Sequence, residues 1–454
     1  MRREENAKND AFTRLTFQIL RFTFEVIMKD IVIIDGIRTP YAKVGTALKD
    51  VPADALGAFV IKEIVARTGI DPERVDEVIV GNAGMPAEAA NIGRVIALRA
   101  GIPQRVPAYS VQRNCASGMQ AAASAYAQIA AGLSDIIVVA GVESMSNFGF
   151  YTTKRLKEIF TRIGRSKTLW GKASAALSIR PKDLVPVVGL TLGLTDPVSG
   201  LNMGQTAENL ARDFGITRRE QDELALWSHQ KWTAANETGK FKNEIAAFYA
   251  PPKFEAVEED IGPRKHQTLE DLARLKPYFD RKYGTVTPGN SSPITDGGAA
   301  ALIMGADRAK ELGYKPLGRI KAFAFAGNDP SRMGLGPVFS THKALRLAGM
   351  KIHDIELIEL NEAFAAQVIA CEKAAVSKEF FRKHLSGEEP IGEFRRDIMN
   401  VNGGAIALGH PVGSSGLRIV ITLLKEMERR GLATGLATLC IGGGQGGAMI
   451  VERL

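Results

Sequence analysis

"RTGIDPERVDEVIVGNAG" (residues 67–84) and "LAGMKIHDIELIELNEAF" (residues 347–364) follow one pattern in the two halves of the chain. In both stretches, a helix end closed by glycine is followed by an acidic residue and a short apolar strand. "NCASGMQ" (114–120) and "VGSSGLR" (412–418) repeat in the same order. This correspondence predicts an internal duplication in which each half forms one layered α/β unit.

The duplication divides the chain into predicted segments. The first half is expected over 28–149 together with 284–307, and the second half over 308–454. The interval 150–283 is richer in charged residues and is interpreted as an inserted loop domain. Residues 1–27 are expected to lie outside the fold, because charges interrupt their apolar run and it is too short for a membrane span. A surface-seeking amphipathic helix is the alternative for this segment.

The composition is typical of a soluble globular protein, since 45% of the 454 residues are hydrophobic and 24% are charged. The formal net charge of +8 favours anionic partners such as phosphorylated small molecules or membrane surfaces. Nucleic acid is not expected, because no recognition motif accompanies the charge. Three scattered cysteines suit neither a disulfide framework nor a zinc site, which predicts a reducing, cytoplasmic compartment and no metal.

Two charged stretches are expected at the surface. Residues 378–397 are predicted to form a loop with some helix. Residues 152–172 concentrate positive charge and place four apolar residues on one helical face: Leu156, Ile159, Phe160 and Ile163. A half-buried surface helix accounts for this pattern. Peripheral contact with a membrane or a partner protein is the alternative, because basic amphipathic helices also serve that purpose.

Cys115 lies where "NCASGMQAAASAYAQIAAG" is predicted to begin a helix. Unpaired backbone N–H groups at a helix N-terminus favour a thiolate, and the small neighbouring residues would let a bulky substrate approach the sulfur. The stretch therefore makes Cys115 a candidate nucleophile. A buried structural cysteine is the alternative.

His410 stands among glycines in "NVNGGAIALGHPVGSSGLR" (400–418), whereas the other five of the six histidines have charged or polar neighbours. Gly409 and Pro411 are expected to hold it on a tight turn just before a helix. A neutral imidazole in that position could accept the proton of a thiol and later stabilise an oxyanion.

Cys440 ends a predicted strand and precedes the glycine run of "LATLCIGGGQGG" (436–447). Such a run suits a place where the backbone approaches another group closely, and it can aim N–H groups at developing negative charge. A plain β-turn is the alternative. Cys371, in "VIACEKAA", has the helical setting of a core residue, and we assign it no role.

Four motifs in this order resemble the signatures of the thiolase family, which includes acetyl-CoA acetyltransferases and 3-ketoacyl-CoA thiolases. They are "NCASGMQ" (114–120), "NEAF" (361–364), "NGGAIALGHPVGSSGLR" (402–418) and "CIGGGQGG" (440–447). The likeness extends from Met28 to the C-terminus. It implies a thiolase fold, with duplicated βαβ-rich halves in alternating α and β layers and an inserted loop domain over the active site.

The resemblance also implies an activity. The family cleaves 3-oxoacyl-CoA with CoA to acetyl-CoA and a shortened acyl-CoA, or catalyses the reverse Claisen condensation, by a ping-pong mechanism. Cys115 matches the acyl-accepting nucleophile, His410 the residue that activates it, and Cys440 the acid/base at Cα. Asn361, through a water, is expected to help stabilise the enolate. The backbone N–H of Gly442 is expected to stabilise the acyl-enzyme carbonyl.

CoA thioesters are therefore the expected partners, with CoA as a substrate and no cofactor. By the same resemblance, five residues should contact CoA: Met203, Arg264, Ser292, Ala363 and Phe364. Family members imply a homodimer or homotetramer. "GNSSPITDGG" (289–298) and the 378–397 stretch resemble the long-chain branch, which implies a β-oxidation partner subunit, whereas Asn361 replaces the histidine common in that branch.

Three alternatives remain at this point. A biosynthetic acetoacetyl-CoA thiolase is the close one, although Asn202 stands where many acetoacetyl-type relatives carry histidine. A ketoacyl synthase shares the duplicated architecture but uses one cysteine with two histidines, and here the last position is Cys440. An inactive CoA-binding scaffold subunit is the remote one, because all three reactive positions are intact.

Overall fold

A computed structural model describes residues 29–454, and the predicted extension over residues 1–27 lies outside these described residues. The strands are β1 (Ile31–Arg38), β2 (Ala42–Lys43), β3 (Glu77–Gly81), β4 (Ala108–Val111), β5 (Ile136–Ser144), β6 (Phe150–Tyr151), β7 (Val187–Val188), β8 (Phe248–Ala250), β9 (Glu255–Val257), β10 (Thr295–Gly305), β11 (Gly318–Gly327), β12 (Leu357–Leu360), β13 (Thr434–Ile441) and β14 (Gln445–Glu452). The helices are α1 (Ala53–Thr68), α2 (Ile92–Arg99), α3 (Ser117–Ala130), α4 (Lys154–Arg165), α5 (Leu169–Leu177), α6 (Gly189–Gly193), α7 (Met203–Asp213), α8 (Arg218–Glu237), α9 (Leu269–Ala273), α10 (Ala306–Glu311), α11 (Gly336–Ala348), α12 (Ala365–Ala375), α13 (Lys378–His384), α14 (Ala405–Leu408) and α15 (Val412–Arg430).

The main sheet repeats one strand order in the two halves of the chain. The order is β1, β10, β5, β3, β4 in the first half and β11, β14, β13, β12 in the second. The parallel pair β3–β5 in the first half matches the parallel pair β12–β13 in the second. Strand β5 then pairs antiparallel with β10, and β13 pairs antiparallel with β14. Strands β1 and β11 join the halves through Val32–Arg319 and Ile33–Gly318. The predicted duplication is confirmed.

Helices α3 and α15 form a layer between the two half-sheets. Ala121 of α3 and Leu417 of α15 share one buried cluster with Ile137 of the first half-sheet and Leu439 of the second. Helices α1 and α2 cover the outer face of the first half-sheet, and α11 and α12 cover the outer face of the second. The α/β architecture with alternating layers is thus confirmed, because each half-sheet is buried on both faces.

Two glycines allow α3 and α15 to cross in contact. A Cβ atom at Gly118 would lie 2.9 Å from Leu417 Cβ and 3.0 Å from Gly413 O. A Cβ atom at Gly416 would lie 2.9 Å from Met119 N. Both glycines belong to the repeated pair "NCASGMQ" and "VGSSGLR", so the repeat supplies a residue without a side chain at the crossing in each copy.

The chain between β5 and β10 forms the inserted lobe, with the small sheets β6–β7 and β8–β9 and helices α4 to α9. On α4, Leu156 and Ile159 are buried as predicted, but Phe160 is 53% exposed. Within residues 29–454, no helix combines the length and apolar character needed to cross a membrane. The domain boundaries drawn from the sequence stay predictions.

The stretch 378–397, which was expected at the surface, is partly buried. Helix α13 buries Phe380 and Phe381, and the irregular chain that follows buries Phe394. These aromatic side chains belong to the buried cluster of the second half. The charged residues between them remain at the surface, so the segment is anchored to the core by its aromatic residues.

Gly118→Ala is expected to lower the free energy of unfolding by about 1–3 kcal/mol, because the added methyl group meets backbone atoms of α15. Gly164→Ala is the matched control, since Gly164 is an exposed residue of α4 with open space at its Cβ position. The control should be neutral or stabilising by up to about 1 kcal/mol. Urea unfolding followed by circular dichroism measures both. Equal stabilities of the two variants would contradict the crossing contact.

Candidate active site

Cys115 lies in a 3₁₀ turn, Asn114–Ala116, that leads directly into α3. Asn114 has a left-handed backbone conformation with a φ of 43°, which asparagine tolerates better than most residues. Its side-chain amide donates a hydrogen bond to Gly442 O at 2.8 Å. The turn that carries the first-half thiol is therefore tied directly to the glycine loop of the second half.

His410 follows α14 on a turn that requires glycine. Gly409 has a φ of 110°, and a Cβ atom there would collide with Thr295. The backbone N–H of His410 donates to Pro293 O at 3.3 Å. The turn thus fixes His410 against the segment that precedes β10, in the first half of the sheet.

The hydrogen bonds of the His410 ring fix its tautomer. Nδ1 lies 2.6 Å from Ser415 Oγ, and the Ser415 hydroxyl donates to Pro411 O at 3.0 Å. Because a hydroxyl has one proton, the ring donates from Nδ1 and keeps a lone pair on Nε2. Nε2 is buried and has no hydrogen-bond partner within residues 29–454. Burial, reinforced by the charge of Arg418, lowers the pKa of His410 to about 3, so the ring is a neutral base at pH 7.

The glycine run after Cys440 has two tasks. Gly443 and Gly444 have φ angles of 85° and 78° and form the turn between β13 and β14, as the plain-turn alternative predicts. Gly442 instead faces Cys115, and its N–H is one of the two backbone groups that lower the pKa of that thiol. Met203 Sδ lies 3.3 Å from the position that a Cβ of Gly442 would take. A side chain there would narrow the space beside the sulfur.

The thiols of Cys115 and Cys440 are both neutral at pH 7. Burial raises the pKa of Cys115 to about 11, although the N–H groups of Gly442 and of Cys115 itself pull it down. Burial also raises the pKa of Cys440 well above its usual range, and the neighbouring thiols add to the rise. The thiolate expected at the helix N-terminus is therefore disfavoured, because desolvation outweighs the N–H groups. Cys115 needs a base to become a nucleophile.

The three reactive side chains meet at one cavity of about 360 Å³, which Cys115, His410 and Cys440 line together. Four of the five residues expected to contact CoA line the same cavity: Met203, Ser292, Ala363 and Phe364. Pairing between segments of the two halves places them there, since Ser292 N donates to Ala363 O at 3.0 Å. The cavity therefore combines a base, two thiols and a largely apolar channel.

Three of the expected site residues lie outside these walls, and one of them, Gly442, lines an adjoining cavity that Cys115 also borders. Arg264 lines a separate cavity of about 500 Å³, and Pro293 borders both cavities. Asn361 directly follows β12, and its Oδ1 accepts a hydrogen bond from Arg418 at 3.4 Å. The Nδ2 group of Asn361 is buried without a partner among the described residues. A buried N–H donor of this kind is costly unless water or a ligand accepts a hydrogen bond from it.

Glu143 and Ser415 support the site, and the sequence did not reveal them. The buried carboxylate of Glu143 in β5 accepts from Ala83 N at 3.1 Å, Gly84 N at 3.0 Å and Gly413 N at 2.9 Å. It therefore joins a first-half loop to the start of α15. Burial raises the pKa of Glu143 to about 7. No local pattern marks such a residue, because its partners are backbone groups of distant segments.

Comparison with protein families covers nearly the whole described chain. The model of the thiolase N-terminal domain matches residues 31–307, and that of the thiolase C-terminal domain matches residues 314–453. The 3-ketoacyl-CoA thiolase of Pectobacterium carotovorum is 42% identical over 423 residues, which are 93% of this chain and 96% of that protein. The 3-ketoacyl-CoA thiolase of Serratia proteamaculans is also 42% identical, over the same shares of both chains.

Solved structures share the fold. The acetyl-CoA acetyltransferase of Bacillus anthracis superposes with a TM-score of 0.83 at 38% identity, over 94% of this chain and 99% of that one. Human mitochondrial 3-ketoacyl-CoA thiolase in complex with CoA gives a TM-score of 0.81 at 35% identity, over 94% and 98% of the two chains.

Alkylation of Cys115 by iodoacetamide is expected to accelerate steeply from pH 7 to pH 10. The raised pKa of Cys115 keeps the thiol protonated at neutral pH, so each pH unit should increase the thiolate fraction about tenfold. Mass spectrometry of the modified peptide measures the rate, and Cys115→Ser gives the background from the other cysteines. A rate independent of pH over this range would instead indicate a stable thiolate–imidazolium pair.

Proposed function

The chain belongs to the thiolase family, and on that premise we propose that it acts through an acyl intermediate on Cys115. It is an acyltransferase that cleaves 3-oxoacyl-CoA with CoA to acetyl-CoA and a shortened acyl-CoA, or catalyses the reverse condensation. One observation supports the assignment of residues. A thiol from the first half, and an imidazole and a second thiol from the second half, face the same cavity.

In the first half-reaction, His410 Nε2 accepts the proton of the Cys115 thiol. The sulfur forms a bond to C3 of the 3-oxoacyl group, and the C2–C3 bond breaks with its electron pair on C2 of the departing acetyl-CoA. The neutral thiol of Cys440 donates its proton to C2. His410 gains one proton and Cys440 loses one, so the net charge of the site does not change.

In the second half-reaction, the CoA thiol gives its proton to the Cys440 thiolate and attacks the thioester carbon on Cys115. The carbon–sulfur bond to Cys115 breaks, and the released thiolate recovers its proton from His410. The products are the shortened acyl-CoA and the starting enzyme. Because acetyl-CoA leaves before CoA reacts, the kinetics should be ping-pong.

Backbone and side-chain donors support the two oxyanions of this scheme. The N–H groups of Cys115 and Gly442 lower the pKa of the Cys115 thiol, so they point at the region where the acyl-enzyme carbonyl would form. The unpartnered Nδ2 of Asn361 is suited to hold a water against the enolate oxygen, together with the protonated His410 ring. Buried donors without partners are rare in folded proteins, which supports a ligand-binding role for Asn361.

CoA serves as a substrate in this proposal, and its pantetheine arm lies along Met203, Ser292, Ala363 and Phe364. Contact with Arg264 would require CoA to extend past Pro293 into the neighbouring cavity, and it stays a prediction. No group of three or more His, Cys, Asp or Glu side chains in residues 29–454 is arranged to hold a metal ion.

A second candidate is the biosynthetic direction, the condensation of two acetyl-CoA molecules. The likeness to the Bacillus anthracis acetyl-CoA acetyltransferase favours it. The same residues carry both directions, because each step of the scheme is reversible. The 42% identity to the 3-ketoacyl-CoA thiolases of Pectobacterium carotovorum and Serratia proteamaculans favours degradation as the main reaction.

We also propose that the enzyme is a homodimer or homotetramer, works beside a β-oxidation partner subunit and is cytoplasmic. Membership of the family supports the oligomer. The free thiols of Cys115, Cys371 and Cys440 suit a reducing compartment.

We propose that helices α4 and α5 form a surface for peripheral membrane contact. Most of the 152–172 stretch belongs to this surface. Leu169, Trp170 and Leu177 are each 86% exposed. Exposed lysine and arginine side chains lie on the same two helices and in the turn between them, at Lys157, Arg162, Arg165, Lys167 and Lys172. Exposed apolar groups beside cations suit an anionic membrane surface, since the apolar groups enter the interface while the cations face the headgroups.

Sedimentation with anionic lipid vesicles tests the membrane proposal. The protein should bind at low ionic strength and be released by salt, and the double variant Trp170→Ser/Leu177→Ser should bind at least about tenfold more weakly. Leu133→Ser is the matched control, since Leu133 is 77% exposed but lies outside α4 and α5. Equal binding by the double variant and the control would refute contact through this surface.

Cys115→Ser is expected to lower kcat for 3-oxoacyl-CoA cleavage on the order of 10³-fold or more, because the nucleophile is lost. Cys371→Ala is the matched control, since Cys371 is buried in α12 and does not line the reactive cavity. Release of acetyl-CoA, followed by absorbance of the thioester, measures both. Unchanged turnover of Cys115→Ser would rule out an acyl intermediate on Cys115, whereas absence of turnover in the wild type would favour the scaffold alternative.

A further inference from the structure

Cys115 stands at the junction of two cavities. The larger, of about 360 Å³, contains His410 and Cys440. The adjoining cavity has a volume of about 250 Å³, and neither His410 nor Cys440 lines it. The two cavities share seven lining residues: Cys115, Met145, Leu190, Leu194, Thr195, Met203 and Val412. One sulfur atom therefore has access to two separate spaces.

Apolar side chains form most of the smaller cavity. Phe148, Leu192 and Ala83 line it in addition to the shared residues. The ring of Phe148 lies against Gly84, where any Cβ atom would collide with it. Leu192 is 55% exposed, which places the open end of the cavity at the surface of the inserted lobe. The space runs from the reactive sulfur to solvent along apolar walls.

The polar groups that border this cavity already have partners. The carboxylate of Asp196 accepts hydrogen bonds from the hydroxyl and the N–H of Ser199, at 2.6 and 2.9 Å. Gln112 donates to Asn114 Oδ1 at 3.1 Å, and Asn114 donates to Gly442 O at 2.8 Å. An alkyl chain that entered the cavity would therefore leave no new polar group without a partner.

The second half-reaction needs the CoA sulfur and the acyl tail at Cys115 at the same time. The residues proposed for the CoA arm include Ser292 and Phe364, which line the larger cavity and not the smaller. An acyl tail in the larger cavity would block the path of the incoming CoA. The smaller cavity is the adjoining space that also reaches the sulfur.

We propose that the smaller cavity binds the alkyl tail of the acyl group, and that Phe148 and Leu192 set the chain length it accepts. This inference rests on the proposed thiolase reaction. Acetoacetyl-CoA leaves only an acetyl group on Cys115, which does not reach these walls. Longer acyl chains extend along the walls of the smaller cavity and bury apolar surface there. The protein therefore prefers substrates longer than four carbons, and it works mainly in degradation.

Thiolysis of 3-oxoacyl-CoA substrates of four to sixteen carbons tests this inference. In the wild type, kcat/KM should rise about fourfold for each added methylene until the cavity is full. Ala83→Phe fills the cavity, and we expect it to lower the ratio of kcat/KM for the ten-carbon over the four-carbon substrate by about tenfold or more. Phe148→Ala lengthens the cavity, so the rise should continue to longer chains.

Phe150→Ala is the matched control, because Phe150 lies two positions from Phe148, is 71% exposed and lines neither cavity. It should keep the wild-type profile. Thermal unfolding checks the fold of each variant, and Phe148→Ala alone carries the test if Ala83→Phe does not fold.

The outcomes separate the two proposals. A flat wild-type profile with good cleavage of the four-carbon substrate overturns the acyl-tail assignment and leaves the proposed function in place. The assignment also fails if the folded Ala83→Phe and Phe148→Ala variants keep the wild-type profile. No cleavage at any chain length overturns the proposed function and this inference with it.

Discussion

The contact between α3 and α15 at Gly118 and Gly416 is the constraint on which the site depends. Cys115 lies just before the start of α3, and His410 lies just before the start of α15. When two helices touch near their first turns, the groups that precede those turns must also be close. The duplication therefore brings together the segments that precede two equivalent helices, where one segment provides a thiol and the other an imidazole.

Burial then determines the charge state of the site. Desolvation raises the pKa of both thiols and lowers the pKa of His410, so all three groups are neutral at pH 7. Isolated charges are expensive in such a cavity, whereas a proton can move between neighbouring neutral groups at lower cost. The site is consequently arranged for proton transfer rather than for a resting ion pair. Backbone N–H groups and an unpartnered amide supply the polarity that charged side chains would otherwise provide.

The fold could be predicted from the sequence because a duplication repeats local patterns, as in 67–84 and 347–364. The convergence of Cys115 and His410 follows from the same repeat, since the segments that precede the two equivalent helices meet, and Cys440 lines the same cavity from the end of β13. The protonation of Cys115 could not be predicted, because the segments that bury it are distant in sequence. The position of Arg264 outside the reactive cavity could not be predicted either, because it depends on how the inserted lobe folds. The supporting role of Glu143 could not be predicted because its partners are distant in sequence.

The two residues proposed to set chain length and the reacting groups come from different parts of the architecture. Phe148 and Leu192 flank the α4–α5 pair in the inserted lobe, whereas Cys115, His410 and Cys440 belong to the repeated core. Mutation can therefore remodel the lobe while bond-making geometry stays intact. Within a lineage of such enzymes, selectivity can evolve independently of catalytic power, which allows paralogues to specialise from one ancestral scaffold.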